Sequence, residues 1–170
     1  MNKKSIQYGL LALICAAIAF GVWKYRTPSV GAGDPVPDFQ VTTMDGASIK
    51  LSDLRGKYVL LHFWGSWCGP CRKESPHLVE LYRKYHEKGF EILSVAIDVN
   101  TRAWQTAIIN DRMAWPYHAM EPYDFGGPVS KQFNIKSIPA TFLINPQGVI
   151  MGVNLIPEYL DKMLAEKLGK

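Results

Sequence analysis

The chain has 170 residues, enough for one domain with a substantial core, and its 48 % apolar content excludes a disordered protein. The net charge of +4 is misleading, because Lys3, Lys4, Lys24 and Arg26 are the only charged side chains before Thr27. The basic residues that remain are matched by the 15 acidic ones, which removes the electrostatic support for nucleic-acid binding.

The first element is a membrane signal. Two lysines precede a charge-free stretch from Ser5 to Trp23. As a helix it spans about 28 Å, close to the hydrocarbon thickness of a bilayer. Trp23 and Tyr25 at its far end suit the membrane interface. Ala17-Ile18-Ala19 offers a small-residue cleavage site, the alternative reading as a signal peptide. The apolar run continues through Phe20, Val22 and Trp23, which favours an uncleaved anchor over residues 1–26. Cys15 reads as an apolar residue of the span, since Ile14 before it is too large for a lipoprotein cleavage box. The free α-amino group tips the charge balance toward an N-terminus inside. Segments of this type export the domain attached behind them. The expectation is a single pass through the inner (cytoplasmic) membrane with the domain in the periplasm, where disulfides persist.

Residues 27–37, rich in glycine and proline, read as a linker that holds a domain at 38–170 off the membrane. Phe39–Thr42 and Ser48–Leu51 read as short strands joined at Asp45-Gly46. Ser52–Gly56 is a helical turn closed by glycine. Tyr58–Trp64 is a buried strand, and Leu78, Leu81, Tyr82 and Tyr85 mark a helix to about Glu87, stopped by Gly89. Phe90–Ile97 alternates and then becomes continuously apolar, as an interior strand does. Asn100 or Thr101 caps a helix to about Asp111, with Trp104, Ala107 and Ile108 inward. Trp115–Ala119 is a weak edge strand, and Gly126–Phe133 holds a short helix. Thr141–Ile144 and Val149–Val153 form a hairpin. Pro157 opens a terminal helix with Leu160, Met163, Leu164 and Leu168 inward. The order predicts an α/β domain: a central mixed β-sheet flanked by helices, with an N-terminal β-hairpin extension.

The chemistry sits at Trp67-Cys68-Gly69-Pro70-Cys71, where a strand ends and a helix begins. A helix N-terminus stabilises a thiolate, the reactive form of cysteine. Two thiols separated by two residues can close into a disulfide and reopen, exchanging electrons with another thiol–disulfide pair. A static disulfide here would close too short a loop to stabilise much. A zinc site lacks a second cysteine pair, and His62, His77, His86 and His118 show no paired ligand spacing. No glycine-rich loop has the spacing to cradle phosphate.

Phe63–Glu74, together with Ser137-Ile138-Pro139-Ala140-Thr141-Phe142-Leu143-Ile144, resembles the thioredoxin superfamily. The likeness is greatest to the membrane-anchored, exported thiol–disulfide oxidoreductases of the TlpA/ResA type, over about Val36 to Leu168. It implies a thioredoxin-like fold and a redox disulfide Cys68–Cys71 that needs no cofactor. In such enzymes Cys68 would attack and Cys71, buried one turn in, would resolve the mixed disulfide; Trp67 beside Cys68 points to partial exposure. Ile138 and Pro139, joined by a cis bond, would with Trp67 bind the partner's extended chain. Glu74 would take or relay the proton of Cys71. Gly69-Pro70 resembles the reducing members. His62 departs from the buried aspartate of thioredoxins proper and is a second-rank candidate for proton relay, its ordinary pKa suiting the task. Arg72 and Lys73 read as solvated charges, Pro76 as a helix kink, and Trp104 and Trp115 as core and groove. The expected activity is reduction of disulfides in partner proteins, with recharging by a membrane electron donor. Cytochrome c maturation is one of several services that fit. The rivals are a peroxide-reducing redoxin, whose Pro-x-x-x-Thr-x-x-Cys context is missing before Cys68, and a non-catalytic module that binds through the Ile138–Pro139 groove.

Overall fold

The computed structural model describes residues 3–122 and 124–169. Helix α1 (Lys3–Arg26) contains a 19-residue stretch, Gln7–Tyr25, that is long and apolar enough to cross a membrane. Its large apolar side chains, from Leu10 to Trp23, are all exposed and pack on no protein core.

Strands β1 (Gln40–Thr42) and β2 (Ser48–Lys50) pair antiparallel, with Val41 opposite Ile49. Gly46 in the turn has φ +85°, a conformation that glycine adopts without a Cβ penalty. A 3₁₀ turn, Leu51–Leu54, buries both of its leucines. Then come β3 (Tyr58–Trp64), α2 (Gly69–Tyr85), β4 (Phe90–Ile97), α3 (Thr101–Asn110), β5 (Tyr117–Glu121), α4 (Pro128–Gln132), β6 (Ala140–Ile144), β7 (Ile150–Val153) and α5 (Pro157–Leu168).

The central sheet runs β5-β4-β3-β6-β7. Strands β3, β4 and β5 are parallel; β6 and β7 are antiparallel to their neighbours. The chain steps from β3 to β4 to β5 in one direction, so right-handed crossovers place α2 and α3 on the same face. There they pack with α5 on Leu60, Trp64, Ile92 and Ala96. The return from β5 to β6 carries α4 over the other face, onto Leu61, Phe63, Val95 and Phe142. Each sheet edge is met by one bridge from the N-terminal segment, which shortens the open edge. Thr43 bridges to Ala119 beside β5, and Pro35 bridges to Val149 beside β7.

Strand β5 begins at Tyr117, two residues later than expected, and continues to Glu121. Pro116 has no N–H to give a ladder, and Trp115 instead turns its indole inward to donate to Ser94 Oγ at 2.9 Å. Residues 27–37 have neither helix nor strand, but they lie along the domain rather than standing it off. Ser29 N donates to Phe133 O, Gly33 N to Ile150 O and Val36 N to Gly148 O. Packing therefore starts well before residue 38.

Candidate active site

The N-cap of α2 is Cys68, whose sulfur accepts from Cys71 N at 3.2 Å. The two cysteines form a disulfide. Pro70 occupies the first turn, where its missing N–H leaves nothing unpaired. Cys71 is fully buried, and Cys68 keeps only 4 % exposure. The accessible group is the neighbour, Trp67, at 59 %. The expected exposure thus falls on the tryptophan, not on the oxidised Cys68.

The loop before the cysteines is clamped from three elements. From the end of β4, Asp98 Oδ2 accepts from Ser66 N at 2.8 Å, and Ile97 O accepts from Trp67 Nε1 at 2.9 Å. A Cβ on Gly65 would lie 2.9 Å from that indole nitrogen and 3.1 Å from Ile97 O, so the clamp requires glycine. From α2, Arg72 Nη1 reaches Ser66 O at 3.4 Å. Arg72 is itself held by two hydrogen bonds to Asp111 at the end of α3. It is therefore a half-buried strut, not the solvated charge expected from sequence; its partner lies 39 residues away and leaves no local signal. Asp98, 2 % exposed, was not foreseen at all. The one available cue was an acidic residue directly after the apolar run Val95-Ala96-Ile97.

The Ile138–Pro139 peptide bond is cis. Pro139 and Glu74 line one pocket of about 110 Å³, with His77, Thr141, Asn154 and Leu160. Asn154 Oδ1 accepts from Thr141 N at 2.9 Å, which braces the strand that leaves Pro139. His77, three residues after Glu74, shares its face of α2; that spacing could have marked it. Glu74 is half-buried, and desolvation raises its carboxyl pKa above the ordinary glutamate value, with His77 pulling weakly the other way.

His62, the second-rank candidate for proton relay, sits inside the sheet. It lies at 0 % exposure beside Ser94, with Nδ1 3.3 Å from Ser94 Oγ and Nε2 unpaired. Burial, reinforced by His118, pushes its pKa down to about 3. A ring with that affinity stays neutral at physiological pH and stores no proton. It belongs to a buried polar row across four strands, in which Thr141, His62, Ser94 and His118 are register neighbours. Trp104 and Trp115 are core residues, at 4 % and 2 % exposure.

The AhpC/TSA family model matches residues 32–153. The chain belongs to the AhpC/TSA family. The chain is 34 % identical to the thiol-disulfide oxidoreductase ResA of Bacillus thuringiensis subsp. konkukian over 172 residues, covering 99 % of this chain and 96 % of that protein. It is 31 % identical to ResA of Bacillus subtilis over 159 residues, 90 % of this chain and 87 % of the other. Among solved structures, the thioredoxin domain of a thiol-disulfide oxidoreductase from Bacteroides vulgatus superposes with TM-score 0.75 at 31 % identity, covering 82 % of this chain and 99 % of that one. A thiol:disulfide interchange protein from a Bacteroides species gives TM-score 0.73 at 30 % identity, over 84 % and 93 % of the two chains. This AhpC/TSA member is a thiol–disulfide oxidoreductase with a thioredoxin-like fold. The expected resemblance to the ResA group is borne out.

Proposed function

We propose that this chain is a membrane-anchored protein-disulfide reductase that works outside the cytoplasm. The observation that carries the reading is the Cys68–Cys71 disulfide at the N-cap of α2, with Glu74 one turn further along that helix and a cis Ile138–Pro139 bond at the entry to β6. In the reduced enzyme the Cys68 thiolate attacks one sulfur of a partner disulfide. A mixed disulfide forms, and the partner's other sulfur leaves as a thiolate. The Cys71 thiol loses its proton to Glu74 and attacks Cys68 Sγ, which closes the internal disulfide and frees the second partner sulfur. Two electrons pass to the partner, whose two thiolates take up two protons. Trp67, Ile138 and Pro139 form the rim on which the partner chain rests. His62 supports the sheet beneath this site through Ser94 and holds no proton in transit.

Recharging needs a dithiol donor, and the exposed helix α1 favours a donor in the same membrane. The anchor is residues 1–26, and the domain lies on the periplasmic side. Peroxide reduction is disfavoured by the missing Pro-x-x-x-Thr-x-x-Cys context. A purely binding role is disfavoured by the closed disulfide at a helix start. The test is the reduction potential of Cys68–Cys71, by equilibration against dithiothreitol and glutathione buffers. A value near about −270 mV supports a reductant; one near about −120 mV makes the chain a disulfide donor and overturns the reading.

A further inference from the structure

The segment that joins α1 to the domain is first fastened beside Phe133, which packs on the redox half of the sheet. Asn134 Nδ2 donates to Thr27 O at 2.7 Å and to Tyr25 O at 3.2 Å. Ser29 Oγ donates to Gln132 O at 2.6 Å, and Ser29 N donates to Phe133 O at 3.2 Å. Lys136 Nζ stands 5.0 Å from the centre of the Tyr25 ring. The end of α1 and the residues after it thus converge on Phe133–Lys136.

The position of that contact is set by Phe133. Its ring packs 5.6 Å from Phe63 and 5.1 Å from Phe142. Phe63 is one residue before the end of β3 and pairs with Ala140, the first residue of β6. Those are the strand ends that carry Cys68 and Pro139. Asn134 is five residues before Pro139, a path of at most about 18 Å of chain. The opposite end of the sheet, where β4 starts at Phe90, is about 23 Å further along a strand. After Ser29 the chain runs toward that far end, through Gly33 at Ile150 and Val36 at the Gly148 turn. The route leaves no slack near the exit. Lys136 stands at the exit against Tyr25, and Lys24 lies in the last turn of α1, cations that an anionic lipid surface attracts.

We propose that residues 25–29 form a fixed mount that turns the dithiol end of the domain toward the bilayer, so that Cys68 serves a partner whose cysteines are presented at the membrane surface by an integral membrane protein. The proposal rests on the reading of α1 as an anchor and of Cys68–Cys71 as the redox pair. An apolar span alone would permit any orientation. The contacts of Ser29 and Asn134 select one.

The test uses the full chain in phosphatidylcholine–phosphatidylglycerol vesicles, with Cys15→Ser and the Cys68–Cys71 disulfide oxidised. A donor fluorophore is placed at Val99→Cys, at the dithiol end of β4, or at Lys88→Cys, at its start. An acceptor is carried on lipid headgroups. Energy transfer from position 99 is expected to exceed that from position 88 at least twofold. Equal transfer, or the reverse order, overturns the mount. Protein that fails to stay with the vesicles shows instead that the anchor reading is wrong, and the proposal falls with it. An eight-residue Gly/Ser insertion between Thr27 and Pro28 is expected to equalise the two positions and leave the reduction potential unchanged. The reduced protein is then offered a transmembrane peptide with an oxidised Cys-x-x-Cys at its interfacial end, and the same Cys-x-x-Cys as a soluble peptide. The insertion should slow reduction of the membrane peptide at least fivefold and leave the soluble one unaffected. Unchanged rates on both overturn the proposed partner class. Failure to reduce either peptide, even without the insertion, counts against the redox pair itself.

Discussion

Lowering the pH from 7 to 5 is expected to remove about 4 kcal/mol of stability through two buried rings. His62 and His118 are held neutral in the fold, with pKa values pushed down to about 3 and about 4, chiefly by desolvation. No carboxylate offsets that burial. His62 has Ser94 and Thr141 beside it in register, and His118 Nε2 meets Met113 O at 3.1 Å. In the unfolded chain each ring titrates near 6.5. The unfolded state therefore gains protons, as pH falls through 6.5, that the folded state does not take. Stability is full above that value, falls below it, and stops falling once the pH passes the folded pKa values. Each ring contributes about 1.9 kcal/mol between pH 7 and pH 5, and the slope between pH 6 and 5 approaches about 2.5 kcal/mol per unit. Against a total of about 5–15 kcal/mol this is a large fraction. The assay is urea unfolding of the oxidised full chain in nonionic detergent, followed by tryptophan fluorescence at several pH values. His62→Asn or His118→Gln should each halve the slope, whatever it does to the absolute stability. A wild-type slope of less than one proton, about 1.4 kcal/mol per unit, refutes the reasoning. So does a double variant with an unchanged slope.

Cys71→Ser is expected to accumulate a mixed disulfide between Cys68 and a partner, visible as a non-reducing gel shift, and Cys68→Ser to accumulate none. Glu74→Gln should slow disulfide exchange by about tenfold and flatten the acid side of the rate profile, since the role proposed for the raised carboxyl is to take the Cys71 proton. Stopped-flow exchange against a disulfide peptide across pH 5 to 8 reads both effects; an unchanged profile removes Glu74 from the mechanism. Asp98→Ala leaves Ser66 N and Asn100 N without their acceptor and should cost about 2–3 kcal/mol in urea unfolding. A loss under about 0.5 kcal/mol would mean that the clamp on the active-site loop is slack.

The parts of the fold that the sequence shows are those whose signal is local. Strands β3 and β4 are mostly apolar, α2 repeats at helical spacing, and Cys68 and Pro139 sit in short recognisable motifs, so the sheet centre and the redox pair could be read directly. The neighbourhood of His62 could not, because its low pKa comes from burial in the assembled sheet and from His118, brought near it only when three strands align. The same holds for Arg72 with Asp111 and for Ser66 with Asp98, pairs 39 and 32 residues apart. The start of β5 was misplaced because apolar character was followed through Trp115-Pro116, where the proline cannot join the ladder. Glycine and proline in residues 27–37 correctly signalled the lack of helix or strand. They carried no information on whether an irregular segment packs, since its hydrogen bonds run to Phe133, Gly148 and Ile150.

Trp67 has a consequence for selectivity. Its ring is the most exposed aromatic surface next to the disulfide, yet its only donor is already given to Ile97 O. A visiting chain therefore meets a fixed apolar plane with no hydrogen-bond requirement. Such a plane adds contact area and little discrimination, because no buried polar group is left unpaired when one visitor replaces another. If the proposed groove is the binding site, a departing chain would meet no polar penalty there, and the surface would hold unlike chains with similar looseness.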